Sequence, residues 1–378
     1  MDLGLIRPGD ALLWGQACAE PQTLVEALVA RRAALSGCRV FLGSSYSGLL
    51  RPEHADHLHL SSYCGTGANR ALADAGILDI LPAPYSQLGA LIRSRRLPCD
   101  VLLLQVSPPN ARGEYSLGLG VEYLAPALEV ARAVIAEVND QVPWTQTQPL
   151  LQRDDFDMVV QSSRPPVELR YSAPSELESR IAQHAAQCVP AGATVECGIG
   201  SLPNAILAAL AGRGLDYHSG VICENVRLLQ SKRCIGGALM GTRALFDWAR
   251  ENLTVTLTSS DVTHGAQTLA RIERFVAVNS AVEVDLTGQV NGEVARGSYV
   301  GAVGGALDFI RAANQSPGGV SIIALPAARV VERLSGPVSV PRSEAGIFVT
   351  EHGAADLRGC TLAERERRMR AITTPCVV

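Results

Sequence analysis

Glu224 stands directly after the apolar run Gly220-Val-Ile-Cys223, which reads as a buried strand. An acid at such a place is either solvated or ion-paired at the strand end, or held there for chemistry, because burying an unpaired charge costs on the order of several kcal/mol. Three other groups are candidates for the same chemistry. Gly198-Ile199-Gly200-Ser201-Leu202 ends a strand with glycines and opens a helix, so its free N–H groups and positive dipole end suit an anion or a close-approaching ligand. A tight strand-to-helix turn is the plainer alternative, and the stretch lacks both the third glycine of a dinucleotide fingerprint and a P-loop lysine. Gly304-Gly305 lets the backbone run close to a reacting centre and aim N–H groups at a developing oxyanion, although such pairs also simply turn the chain. Asn291, in the hairpin-like Gly288-Gln-Val-Asn-Gly292, offers an amide that could donate a hydrogen bond.

These groups need elements to position them. Apolar runs at Val101–Val106, Ala133–Val138, Ala193–Cys197, Leu253–Thr258 and Val320–Leu325 read as strands buried on both faces. Between them, Pro21–Leu35, Leu202–Leu210, Thr242–Glu251 and Leu307–Ala313 have helical spacing. The alternation predicts an α/β fold with mainly parallel sheets. Three prolines between Arg164 and Pro174 resist regular structure, and Ser175-Glu-Leu-Glu178 reads as the capping box of a new helix. The expected division is therefore 1–172 and 173–378. Pro8-Gly9 through Gly15 ahead of Pro21, and Pro190-Ala-Gly192 through Gly198 ahead of Pro203, repeat one order: turn glycine, strand, glycine, helix with proline in its first turn. Two domains of similar topology are expected, with the active site in the cleft between them.

Composition narrows the function. With 378 residues, 47% hydrophobic residues and a net charge of -4, the chain is a well-packed globular protein with a small-molecule partner, not a nucleic-acid or membrane-surface binder. No apolar run reaches the length of a membrane span and the start does not read as a signal peptide, which sets the expectation of a cytoplasmic protein. Cysteines at 18, 38, 64, 99, 188, 197, 223, 234, 360 and 376 are dispersed and suit a reducing compartment. His54, His57 and His59 read as a polar surface turn with no second cluster to complete a metal site, and strand alternation turns Cys223 away from Glu224 into the core.

The order Gly198-Ile-Gly-Ser-Leu-Pro-Asn-Ala, Glu224, Met240-Gly-Thr, Val278-Asn-Ser-Ala281, Val284-Asp-Leu-Thr-Gly-Gln-Val-Asn291, Val303-Gly-Gly-Ala-Leu-Asp-Phe309, Val349-Thr-Glu-His-Gly353 resembles the acetyl-CoA hydrolase/transferase family, especially its 4-hydroxybutyrate CoA-transferase-like branch. Gln105-Val-Ser-Pro-Pro109, Gly113-Glu-Tyr-Ser-Leu-Gly118 and Val134-Ile-Ala-Glu-Val-Asn139 extend the likeness into the first half.

The resemblance implies a CoA-transferase fold and a reaction in which Glu224 attacks an acyl-CoA, passes through an acyl-glutamyl anhydride, and becomes a glutamyl-CoA thioester that an incoming small carboxylate discharges. It implies CoA contacts from Gly198, Ile199, Gly200, Ser201, Leu202, Gly304 and Gly305, an oxyanion donor at the Gly304 N–H, Asn291 lining the site, and a homodimer or larger assembly. CoA is then a substrate, and neither a metal nor a tightly bound cofactor is required. An acyl-CoA hydrolase using the same glutamate is the near alternative, and a non-catalytic acyl-CoA-binding protein the distant one. Two departures stand out: Asn225-Val-Arg-Leu-Leu229 replaces the usual Met-Phe-Ser-Asp-Gly after the glutamate, and Gly318-Gly-Val320 lacks a lysine found in relatives.

Overall fold

Strands that lack polar alternation must be covered on both faces, and Val101–Val106 is buried along its whole length. The computed structural model describes residues 3–373, so Cys376 lies outside the described residues. Its contacts group into two units, Met1–Leu169 with Ile235–Thr263, and Arg170–Cys234 with His264–Val378.

In the first unit, β1 (Ala11–Trp14), β2 (Cys38–Leu42), β3 (Leu58–Ser62), β4 (Leu78–Ile80), β5 (Val101–Val106), β6 (Ala133–Asn139) and β7 (Met158–Ser162) pair in the order β4-β3-β2-β1-β5-β6-β7. Every pairing is parallel. Helix α1 (Gln22–Ala30) packs Leu24, Val25 and Leu28 into a core with Leu12, Trp14, Val40, Leu60, Leu103 and Ile135.

In the second unit, α2 (Glu176–Gln187) starts at the expected capping box: Ser175 Oγ accepts the Glu178 N–H at 3.2 Å, and Glu178 Oε2 accepts the Ser175 N–H at 2.9 Å. Then follow β8 (Thr194–Cys197), α3 (Ser201–Ala209), β9 (Asp216–His218), β10 (Val221–Cys223), β11 (Phe275–Ser280), α4 (Ala306–Gln315), β12 (Val320–Ala324), β13 (Ile347–Thr350) and β14 (Gly353–Asp356). Six of these strands lie in the order β9-β8-β11-β12-β13-β14. All pair in parallel except the last two. The α/β class and mainly parallel sheets expected from the sequence are present.

The repeated opening also has a structural counterpart. Gly9 and Gly192 both adopt left-handed backbone, at φ 83° and 66°, and each leads into a strand, β1 or β8, inside its own sheet. The sequence places one division, at 172/173, whereas Ile235–Thr263 groups with the first unit. The reason is hydrogen bonding: the Val121 N–H donates to Gly237 O at 2.9 Å, the Leu239 N–H to Leu119 O at 2.8 Å, and the Gln148 N–H to Leu257 O at 2.9 Å. Turn-rich spacing gives no local signal of such long-range pairing.

Candidate active site

In an open parallel sheet, ligands bind beyond the carboxyl ends of neighbouring strands whose connections leave in opposite directions. In the second unit that place lies between β8 and β11: β8 continues through α3 to β9 on one side, and β11 continues to β12 on the other. Gly198 to Leu202 is the loop at the end of β8. Gly200 there has φ 125° and ψ 176°, a region that essentially only glycine occupies. The Gly198 N–H donates to Val278 O at 2.9 Å, and a Cβ on Gly198 would lie 3.0 Å from Asn279 Oδ1, so the loop runs tight against β11. Ile199 is exposed, Ser201 is half-buried with its hydroxyl donating to Glu178 Oε1 at 2.5 Å, and Leu202 is buried. Glycine geometry therefore turns the loop while Leu202 anchors its helix in the core.

Glu224 follows β10 and opens a 3-10 helix, Glu224–Leu229. Its side chain is only 16% exposed, and Oε1 lies 3.1 Å from Arg227 Nη2. The turn is fastened to the glycine-loop helix: the Asn225 N–H donates to Asn204 Oδ1 at 3.2 Å, and Asn225 Nδ2 donates to Asn204 O at 2.9 Å. Tyr217 adds a second tie, its hydroxyl lying 2.8 Å from Val221 O and 3.4 Å from Cys197 O. The end of β8 and the approach to Glu224 are thus held by shared partners.

Gly304 and Gly305 precede α4, with Gly304 at φ 57°. A Cβ on Gly304 would meet only Ala302 Cβ, at 3.6 Å, so the backbone there runs unobstructed by side chains. A Cβ on Gly305 would overlap His264 Nε2, and a Cβ on Gly220 would lie 2.8 Å from His264 Cε1. The imidazole is therefore wedged between the glycine pair and the strand leading to Glu224. It is buried, packs against Phe309 with ring centres 4.5 Å apart and planes inclined at 43°, and is held down to about 3 by burial and by neighbouring His218, so it is neutral.

Asn291 departs from expectation. It is fully buried, and its amide already donates to Glu283 Oε1 at 3.0 Å and to Val294 O at 2.8 Å, while Oδ1 accepts the Glu293 and Val294 N–H groups. With both amide hydrogens engaged, it ties the 283–291 hairpin to the turn at 293–294 and has no donor left for a substrate.

Glu196, on β8, was missed by sequence reasoning. It is 2% exposed, accepts from Asn279 Nδ2 at 2.8 Å, and burial pushes its carboxyl from 4.5 up to about 8. Its place inside a buried strand, two residues before the glycine loop, was the available signal. His264, Asn204 and Tyr217 gave none, because their roles arise from contacts distant in sequence. A carboxyl kept protonated by the fold stabilises the native state below about 4.5, and that contribution is lost as pH rises through about 8. Glu196→Gln should therefore flatten the fall in melting temperature between pH 5 and 9 and melt above the parent at pH 9. A variant whose pH profile parallels the parent would show that Glu196 is not the buried acid responsible.

Cys223 is buried beside Glu224, and burial pushes its thiol up to about 12, so it is not poised as a thiolate. His54 Nδ1 accepts the Arg51 N–H at 3.2 Å and caps a 3-10 turn. Among the described residues, no group of three His, Cys, Asp or Glu side chains is arranged to hold a metal ion, and no helix is long and apolar enough to cross a membrane.

Comparison with known proteins identifies the family. The 4-hydroxybutyrate coenzyme A transferase of Clostridium kluyveri is 32% identical over 96% of this chain and 91% of its own length. The crystal structure of RipA from Yersinia pestis superposes with a TM-score of 0.93 at 27% identity, covering 98% of this chain and 92% of that one. The 4-hydroxybutyrate CoA-transferase of Porphyromonas gingivalis does so at 0.82 and 27%, covering 98% and 92%. Residues 3–167 match the acetyl-CoA hydrolase/transferase N-terminal domain and 241–377 match its C-terminal domain. Together with the glycine-loop, glutamate and paired-glycine order along the chain, these matches make the protein a member of the acetyl-CoA hydrolase/transferase family.

Proposed function

We propose that the chain is a CoA-transferase that moves coenzyme A from an acyl-CoA to a small carboxylic acid by covalent catalysis on Glu224, working in the cytoplasm as a homodimer or larger assembly. The observation that carries the reading is Glu224 itself: a mostly buried carboxylate at a strand end, hydrogen-bonded through its neighbour Asn225 to the helix of the glycine loop. Partial desolvation makes a carboxylate a better nucleophile, and a fixed attitude limits the orientations it must search. Glu224 attacks the thioester carbonyl, and the Gly304 N–H donates to the oxyanion that forms. Collapse expels CoA thiolate and leaves an anhydride. The thiolate then attacks the glutamyl carbonyl, releasing the first acid and forming the glutamyl-CoA thioester. The acceptor carboxylate reverses both steps and leaves as the new acyl-CoA.

Backbone N–H groups of Gly198 to Ser201 are the proposed CoA contacts on the second unit, with Gly304 and Gly305 beside the acyl group. Hydrolysis is the same chemistry with water in place of the acceptor acid. A panel of acyl-CoA donors, each offered acetate and succinate and followed by mass spectrometry, tests the assignment. New acyl-CoA is the expected product; free CoA and acid alone would make the protein a hydrolase, and no donor consumption would sink both readings.

A further inference from the structure

We propose that Arg227 is the acceptor-binding residue, exchanging the Glu224 carboxylate of the resting enzyme for the carboxylate of the incoming acid. The inference rests on Glu224 being the covalent nucleophile. Residues three apart eclipse on a 3-10 helix, so the Arg227 guanidinium folds back over the Glu224 side chain, with Nη2 3.1 Å from Oε1. The Arg227 side chain is 39% exposed and that of Glu224 16%, so the arginine is the more accessible member of the pair.

Forming the glutamyl-CoA thioester replaces a carboxylate by a neutral carbonyl. Arg227 stays cationic and loses the counter-charge at Glu224. The second substrate supplies one: a carboxylate, whose geometry matches a guanidinium fork. Seated there, its oxygen lies beside the glutamyl carbonyl it must attack. Attack forms the mixed anhydride and expels CoA thiolate; the thiolate attacks the acyl carbonyl, giving acyl-CoA and restoring the Glu224 carboxylate. Arg227 then recovers its resting partner as the neutral product departs. The site requires one carboxylate on the acceptor, so a monocarboxylic acid suffices.

The test compares Arg227→Met, Arg227→Gln and Arg227→Lys with the parent, varying acceptor at saturating acyl-CoA and donor at saturating acceptor. In parallel, the Glu224 peptide is weighed after incubation with donor alone. The neutral variants should raise the acceptor KM by roughly 10-fold or more, leave the donor KM within about 2-fold, and still accumulate the CoA adduct, with lysine restoring part of the loss. Gln serves if the Met variant does not fold, as checked by circular dichroism. An unchanged acceptor KM with the adduct present, or equal rises in both KM values, overturns the role of Arg227 and leaves Glu224 standing. No adduct in the parent overturns the role of Arg227, and if no donor is consumed either, it overturns Glu224 as well.

Discussion

Glu224→Ala should abolish acyl exchange, and Glu224→Asp should lower turnover by roughly 100-fold or more while CoA still binds, because withdrawal by one methylene takes the carboxylate out of attacking range. The sharper result concerns the intermediate. With an acyl-CoA donor and no acceptor, the peptide containing Glu224 should gain the mass of CoA, and borohydride should then inactivate the enzyme irreversibly by reducing the thioester. Acetate or another accepted acid should protect by discharging it. Without donor, the free carboxylate resists the reagent. Rapid spontaneous discharge would identify a hydrolase. Donor-independent inactivation, or an adduct on Cys223, would overturn the mechanism; that thiol is 1% exposed and pushed up to about 12, so it is poorly suited to attack.

Substitution at the paired glycines should lower turnover by roughly 100-fold, the usual scale for losing one oxyanion donor. The two positions fail for different reasons. At Gly304 a Cβ would meet only Ala302 Cβ at 3.6 Å, but φ of 57° strains a β-branched side chain, so Gly304→Val bends the backbone that presents the N–H. Gly305 has an ordinary φ of -95°, and there the obstacle is the His264 ring. Gly305→Ala should therefore recover part of its turnover when combined with His264→Ala, whereas Gly304→Val should not. Thermal melts separate lost turnover from lost fold. Equal rescue of both variants, or of neither, would show that the imidazole does not set the position of this loop.

Glu224 and Asn291 differ in how much of their setting is written in the local sequence. Glu224, the glycine loop and the glycine pair were legible because their chemistry depends on residue type and on immediate neighbours: an acid ending an apolar run, and glycines between strand and helix. Asn291 has the right type, but its hydrogens are engaged by Glu283 and Val294 O, and an amide's partners are not written in its spacing. Arg227 was visible only as a departure from the family pattern, and the 3-10 helix is what folds it over Glu224. The strands, the capped helix at Ser175 and the parallel class followed from periodicity and capping chemistry. The grouping of Ile235–Thr263 with the first unit did not, since partners such as Leu119 and Leu239 are more than a hundred residues apart.

That return of the chain bears on synthesis at the ribosome. A nascent chain stopped at residue 172 would already hold all seven strands of the first sheet, yet it would lack the carbonyls of Gly237, Leu257 and Thr258 that receive the N–H groups of Val121, Gln148 and Glu122. Those donors must wait, hydrated or provisionally paired, while residues 170–234 of the second unit emerge. Ser175 can cap its helix at once, because all its partners are local. The order of emergence from the ribosome is thus not the order in which units are completed: parts of the second can form before the first is closed, and neither can mature as a simple N-terminal domain followed by a C-terminal one.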